Sequence, residues 1–360
     1  MHVPWAWIKQ RPHFLAEALS QDFEVEVVYK HPLKVSKRNL ISHIKPIFPV
    51  KGFWQLPFQK IPLLKYFSFL DVVNCWLAWL GTPRLSQFKY VWFTSVTLYP
   101  AISCLLSSKT KVIWDCMDDE LEFESVRNNP ALLEKYTRAE KDLMRRADFI
   151  FCSSEYLSQK IIARSGVERE ITIVNNAIQL PVNKERECSP NFEMIRKLDN
   201  IFMYIGAVSA WFDWDCIINM LQQNPEANVV IVGPVDVEKV EHSRLYYVGS
   251  VARDNIFELM SYAKALIMPF KINELIRSVN PVKLYEYIFA NRVVIAPAYS
   301  ESQKFKDYVY LYDDKDMFSI LARNVIEGKI QPKKSDQQNI EFVQNNQWCN
   351  RYQQIRSKIG

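Results

Sequence analysis

Residues 279–297 read VNPVKLYEYIFANRVVIAP, and the order of elements in that stretch decides the fold. Pro281 stands at what the spacing predicts as the first position of a helix, with Lys283 and Glu286 three residues apart in its opening turns. An unbroken apolar run, VVIAP, follows almost at once. A helix that gives way to a strand apolar on both faces is the repeating unit of a parallel sheet covered by helices. The Lys/Glu pair has an ordinary reading, a surface ion pair worth ~0.2–0.5 kcal/mol. Its other reading is a helix start that faces a bound phosphate and a sugar ring.

The same alternation runs outward in both directions. Apolar, β-rich runs stand at 24–29, 89–94, 111–115, 148–152 and 170–174, separated by helix-like stretches such as 130–146 and 154–165. Residues 179–200 are polar and prolyl and interrupt the rhythm as a linker would. Strand-like runs resume at 201–205, 228–232, 245–248, 264–268, 292–296 and 308–312, and 336–358 has the spacing of a closing helix. Two doubly wound α/β domains follow, in which ligands are expected beyond the carboxyl ends of the strands. The chain has eight glycines and neither a G-x-G-x-x-G nor a G-x-x-x-x-G-K-[ST] motif, which argues against dinucleotide and P-loop sites.

The bulk numbers agree with two cores. The chain has 360 residues, 49% of them hydrophobic, enough for two domains. A net charge of +5 is too small to mark a nucleic-acid binder. The seven cysteines are scattered, without a C-x-x-C pair or a disulfide-like framework, which predicts a reduced, cytoplasmic protein. The opening MHVPWAWIKQRPHF lacks the basic-then-apolar order of a signal peptide. Residues 91–108 carry no charge, yet Pro100 and the Ser/Thr content fit strand, turn and helix better than a membrane span. Residues 53–80 interleave Phe and Trp with Lys60, Lys65 and Asp71. They read either as a helical core element or as a surface lying in the bilayer interface.

Several stretches together resemble the bacterial GT-B glycosyltransferases that build exopolysaccharide, capsule, O-antigen or teichuronic acid. They are YIGAVSAWFDWD at 204–215, VVIVGP at 229–234, YYVGSV at 246–251, the long 265–297 segment and WCNR at 348–351. The first half adds KQRPHFLAEAL at 9–19, WDCMDDE at 114–120 and ADFIFCSSEYL at 147–157. The resemblance covers nearly the whole chain and is most specific over 265–297. It implies a GT-B fold, two Rossmann-like domains facing a central cleft. The acceptor domain would span 1–178 and the nucleotide-sugar donor domain 179–345, with a last helix at 346–360 expected to return to the first.

On this resemblance the donor site comprises Gly206, Gly249, Ser250, Val251, Arg277, Asn280, Lys283 and Glu286. Lys283 would neutralise a diphosphate oxygen, helped by the helix end, and Glu286 would accept hydrogen bonds from ribose or sugar hydroxyls. Gly206 would let backbone amides approach the diphosphate, and the 249–251 loop would face the base. Acidic residues crowd behind the strand KVIW, and Asp118 and Asp119 are the candidates for a base that takes the acceptor proton; the alternative is a capping run without chemistry. Gln10, Arg11 and His13 lie on the acceptor side. No metal-ligand spacing is present, and no cofactor is implied beyond the sugar nucleotide.

The chain departs from the pattern at two points. Many retaining members carry a glutamate where this sequence has Ser278, and the basic residues expected after Gly206 are missing. The expected reaction moves a hexose or uronic acid from a nucleoside-diphosphate sugar to a hydroxyl of a lipid-linked saccharide. Residues 53–80 would supply a peripheral contact with the inner face of the cell membrane. The competing readings are a sugar-nucleotide-binding scaffold without turnover and a nucleotide-sugar epimerase of the same build.

Overall fold

The computed structural model describes residues 1, 5, 9–31, 47–54, 69–180 and 191–360. Its contacts divide the chain into two units, Met1–Asn176 with Trp348–Gly360, and Ala177–Gln347.

The first unit holds strands β1 (Val27–Lys30), β2 (Val50–Phe53), β3 (Tyr90–Phe93), β4 (Lys111–Cys116), β5 (Phe149–Cys152) and β6 (Thr172–Ile173). Among the described residues β1 and β2 form a parallel pair, and β3-β4-β5-β6 form a separate parallel sheet. Val112, Ile113 and Trp114 of β4 are buried, as its unbroken apolar sequence requires. Local chemistry sets the helix boundaries. Pro130 opens the helix Pro130–Arg146, capped by the Asn129 side chain on the Leu132 amide. Ser154 caps the helix Glu155–Ser165, and Gly166 ends it in the left-handed conformation at φ 63°.

Among the described residues the second unit holds one six-stranded parallel sheet of β7 (Ile201–Ile205), β8 (Asn228–Val232), β9 (Leu245–Gly249), β10 (Ala265–Ile267), β11 (Val293–Pro297) and β12 (Tyr310–Tyr312). The order β12-β11-β10-β7-β8-β9 is that of a doubly wound fold, with strand order reversing between β7 and β10. Every residue of β7 and β11 is buried, because helices cover both faces.

The strands fall close to the runs read from the sequence, and β2 is the exception. Its four residues, VKGF, are too short and too broken by Gly52 to show a period. The closing helix expected over 336–358 is two helices, Asp336–Asn345 in the second unit and Trp348–Ile359 in the first. Cys75 and Cys104 are joined as a disulfide, which corrects the expectation of unpaired thiols. The helix Phe69–Gly81 packs on the 99–102 helix and brings together two cysteines 29 residues apart, a pairing that sequence spacing conceals. Among the described residues no helix is long and apolar enough to cross a membrane.

Candidate active site

In the second unit Gly206 and Lys283 meet where the strand order reverses, and residues 249–251 lie at the end of the edge strand β9. Lys283 rises from the helix Val282–Phe289, and its ammonium lies 5.5 Å from the Tyr204 ring centre and 5.9 Å from that of Phe270. Tyr204 belongs to β7, and Phe270 follows β10, so the cation sits over the switch point itself. No carboxylate of the described residues comes within ion-pair distance of it. Enclosure by these rings holds the Lys283 pKa below its ordinary value through desolvation, an effect that the charge of Glu286 opposes. A cation placed over ring faces and short of counter-charge is prepared for an anion.

The glycines explain how space is left there. Gly206 has φ 149°, and a Cβ at that position would overlap the end of the Lys283 side chain. Gly206 donates its N–H to Val232 at 2.8 Å, and Gly233 donates to the Gly249 carbonyl at 2.8 Å. Gly206, Gly233 and Gly249 thus form a row without side chains at the carboxyl ends of β7, β8 and β9, all with positive φ. Tyr287, fully buried, fixes the helix to this row by accepting the Ile205 N–H at 2.9 Å. Gly233 stands in the family-like stretch VVIVGP, but only the strand register reveals its place beside Gly206.

Glu286 is buried and pairs with Arg253 at 2.9 Å. Arg253 is the first residue of the helix Arg253–Tyr262, directly behind the exposed Ser250 and half-buried Val251. The pair therefore ties the loop after β9 to the 282–289 helix. Sequence reasoning missed Arg253, although a basic residue at a helix start behind the strand-end sequence YVGSV is a legible signal for a phosphate-side cation. It offers the second positive charge that is absent after Gly206.

Three expectations need correction in this unit. Pro281 lies just outside the helix, with φ −80° and ψ 96°, and Val282 is the first helical residue. Asn280 is buried with its amide committed: it donates to Glu301 at 3.0 Å and accepts from the Tyr285 hydroxyl at 3.2 Å. It anchors the loop to the 300–303 helix and is not free to bind a phosphate. Arg277 is exposed and lies 3.7 Å from Glu274, the geometry of a solvated surface pair. A separate concavity of about 410 Å³ near the ends of β11 and β12 is lined by Asp213, Asp215, Asp313 and Asp314 with Lys271 and Lys315. Four carboxylates there disfavour a diphosphate.

In the first unit the end of β4 and the acidic turn after it send neighbouring carboxylates in different directions. Asp115, fully buried, is gripped by Arg11 through Nε at 3.0–3.1 Å and Nη2 at 2.7 Å. Arg11 also donates to the Val174 carbonyl at 2.6 Å. It is a buried anchor between the helix Arg11–Leu19 and the sheet, which corrects its assignment to the acceptor side. His13 is buried too, accepting the Gln10 N–H on Nδ1 at 3.2 Å at the start of that helix, while Gln10 itself is exposed.

Asp119 contradicts its assignment as a base. It is buried in ionic contact with Lys160 at 3.0 Å and Arg164 at 2.9 Å, both on the 155–165 helix. Asp118 points elsewhere. It lines a small cavity of about 10 Å³ with Thr94, Ser95, Val96 and Glu120, and keeps part of its surface open. Desolvation raises its pKa to about 6, against the pull of Arg11 and with support from the charges of Asp119 and Asp115. Glu120 accepts the Val96 N–H at 2.8 Å, and its pKa is raised to about 7 by desolvation, partly offset by hydrogen bonds from Ser95 and Val96. A carboxyl that changes charge near neutrality suits general-base work.

No protein-family model matches the chain. A Bacillus subtilis (strain 168) protein, TuaH, is 26% identical across 98% of this chain and 94% of its own length; its assignment as a teichuronic acid biosynthesis glycosyltransferase is itself provisional. Among solved structures, Anabaena HepE in complex with UDP and glucose superposes with a TM-score of 0.66 at 12% identity, covering 96% of this chain and 94% of that one. Sucrose-phosphate synthase from Thermosynechococcus elongatus gives 0.70 at 12% identity over 96% and 91%. An E. coli trehalose-6-phosphate structure bound with UDP-2-fluoro glucose gives 0.69 at 11% over 99% and 97%. These likenesses agree with the sequence resemblance on one architecture, and the chain has the GT-B fold.

Proposed function

We propose that the protein transfers a hexose or uronic acid from a uridine-diphosphate sugar to a hydroxyl of a lipid-linked saccharide, as a step in bacterial surface-polysaccharide synthesis. The observation that carries the donor half is Lys283, held over Tyr204 and Phe270 at the switch point and pressed against Gly206. The uridine diphosphates bound to HepE and to the E. coli structure favour uridine as the base. The teichuronic acid assignment of TuaH favours a polysaccharide acceptor.

In this reading Lys283 and Arg253 face the diphosphate, and Glu286 exchanges part of its contact with Arg253 for sugar or ribose hydroxyls. The glycine row admits the diphosphate close to the backbone, and Ser250 and Val251 flank the base. Asp118 removes the acceptor proton as the hydroxyl oxygen attacks the anomeric carbon. The bond from that carbon to the diphosphate oxygen breaks, and the leaving electron pair is neutralised by Lys283. Ser278 in place of the glutamate of retaining enzymes favours inversion; its hydroxyl is turned inward to the Glu274 carbonyl at 3.1 Å. The reaction belongs on the cytoplasmic side of the membrane, where sugar nucleotides are supplied.

The test is a thermal-shift and calorimetric series of nucleoside diphosphates and their sugars, followed by product analysis with a lipid-linked saccharide. UDP at 100 times its dissociation constant should stabilise the fold by ~2.7 kcal/mol. No stabilisation by any nucleoside diphosphate would remove the donor reading. Binding without transfer or donor hydrolysis would favour the scaffold reading, and a free isomerised sugar nucleotide the epimerase.

A further inference from the structure

We propose that the Phe69–Gly81 helix lies in the interface of an anionic lipid bilayer and seats the protein there. The helix turns Asn74 and Ala78 inward, both fully buried. Its opposite face presents Val72, Trp76, Trp79 and Leu80 to solvent, with Trp76 56% and Trp79 61% exposed. These positions follow the i, i+4, i+7, i+8 spacing of one helical stripe. An outward face of a water-soluble helix normally carries charge, yet the only charged residue among these thirteen is Asp71. At the other end Gly81 is pressed against Phe53 of β2, so closely that a Cβ there would overlap it, and the next residue, Trp54, is also exposed.

Charge identifies the occupant. Residues 27–114 contain twelve Lys or Arg and a single acidic residue, Asp71. The whole chain carries only +5, so this stretch of the sequence, six of whose twelve cations lie outside the described residues, is positive and the remainder negative. Within the stretch Arg84 and Lys89 are exposed just beyond the helix, whereas Lys51 on β2, though exposed, is paired with Glu26 at 2.8 Å. Indoles also anchor protein interfaces, but an excess of eleven positive charges along the sequence, twelve against one, is met by a uniformly anionic surface. A bilayer with anionic headgroups matches both: indoles settle at the headgroup level and cations meet lipid phosphates. The proposal rests on the lipid-linked acceptor only for its purpose, because none of its residues belongs to the donor site.

The full-length protein is sedimented with vesicles of neutral phosphatidylcholine and of phosphatidylcholine with phosphatidylglycerol, at low and high salt. Binding to the anionic vesicles at low salt should exceed that to neutral ones by about tenfold and fall with salt. Brominated acyl chains should quench tryptophan emission. W76S/W79S should bind about tenfold more weakly and lose most of the quenching, with an unchanged melting temperature because both rings are exposed. R84E should weaken binding without touching the rings. Indifference of the wild type to anionic vesicles, equal binding by W76S/W79S, or a dimer that this variant abolishes would each overturn the proposal. UDP affinity measured on the same variant reads the donor site separately, so the two readings fail independently.

Discussion

The turn after β4 and the helix after Pro281 both set charged side chains near the carboxyl ends of parallel strands, and they treat those charges in opposite ways. Asp115 at the end of β4 and Asp119 in the turn are neutralised by cations from distant parts of the same unit, Arg11 and the pair Lys160 and Arg164. In the helix, Lys283 meets aromatic rings, and Glu286 has one counter-charge, Arg253. Saturated charges hold a scaffold together, whereas a charge left short of partners at a strand end is available to a ligand.

The largest effect should come from the saturated side. Arg11→Ala leaves Asp115 buried without its counter-ion and should cost 3–5 kcal/mol in urea unfolding, on the scale of a broken buried pair, roughly. Donor affinity of the folded fraction should be unchanged. A stable Arg11→Ala protein with poor activity would reverse the assignment and return Arg11 to substrate.

Asp118 and Asp119 sharpen the contrast within one turn. Asp118→Asn should lower kcat roughly 100-fold at unchanged UDP affinity, whereas Asp119→Asn should lower stability first. Acidity gives a second readout. The Asp118 pKa rises from 3.8 to about 6 on folding, so its contribution is complete below pH 4 and is lost as pH rises through about 6. Asp118→Asn should therefore be more stable than wild type above that pH, by about 1–3 kcal/mol at most, and equal to it near pH 4. Wild-type kcat/KM should climb through about pH 6 as the base deprotonates. A flat profile across this range would move the base elsewhere.

On the unsaturated side, Lys283→Ala should weaken UDP by roughly 10- to 100-fold while leaving uridine affinity alone. Glu286→Ala should reduce sugar-nucleotide affinity more than UDP affinity, and equal losses would reduce it to a clamp on Arg253. The smallest effect expected is that of Tyr287→Phe, about 1 kcal/mol of stability from the lost bond to the Ile205 amide. A much larger loss of UDP affinity in that variant would show that the β7 end must be held for binding.

How much of this the sequence disclosed follows the range of the interactions. The βα rhythm and the Lys283/Glu286 spacing depend on neighbours within a turn or a strand, and both were readable. The partners that decide which charges stay available come from far along the chain. Arg253 is 33 residues from Glu286, and Arg11 is 104 from Asp115. Asp118 and Asp119 look equivalent in WDCMDDE, and only the 155–165 helix packed beside them separates their fates. Asn280 looked like a phosphate ligand for the same reason; its partner Glu301 lies beyond the next strand.

The glycine row carries a consequence for variation in this chain. The Gly206 carbonyl occupies the space that a side chain at Gly233 would fill. Replacing Gly233 by anything larger must push that carbonyl, and with it the loop on which Lys283 rests. A substitution there meets both that backbone overlap and the strain of φ 139°, so it should lower stability together with any effect on the neighbouring loop. Position 233 acts as a spacer whose lack of a side chain lets the ends of β7 and β8 lie together, and that is why it tolerates no other residue without strain.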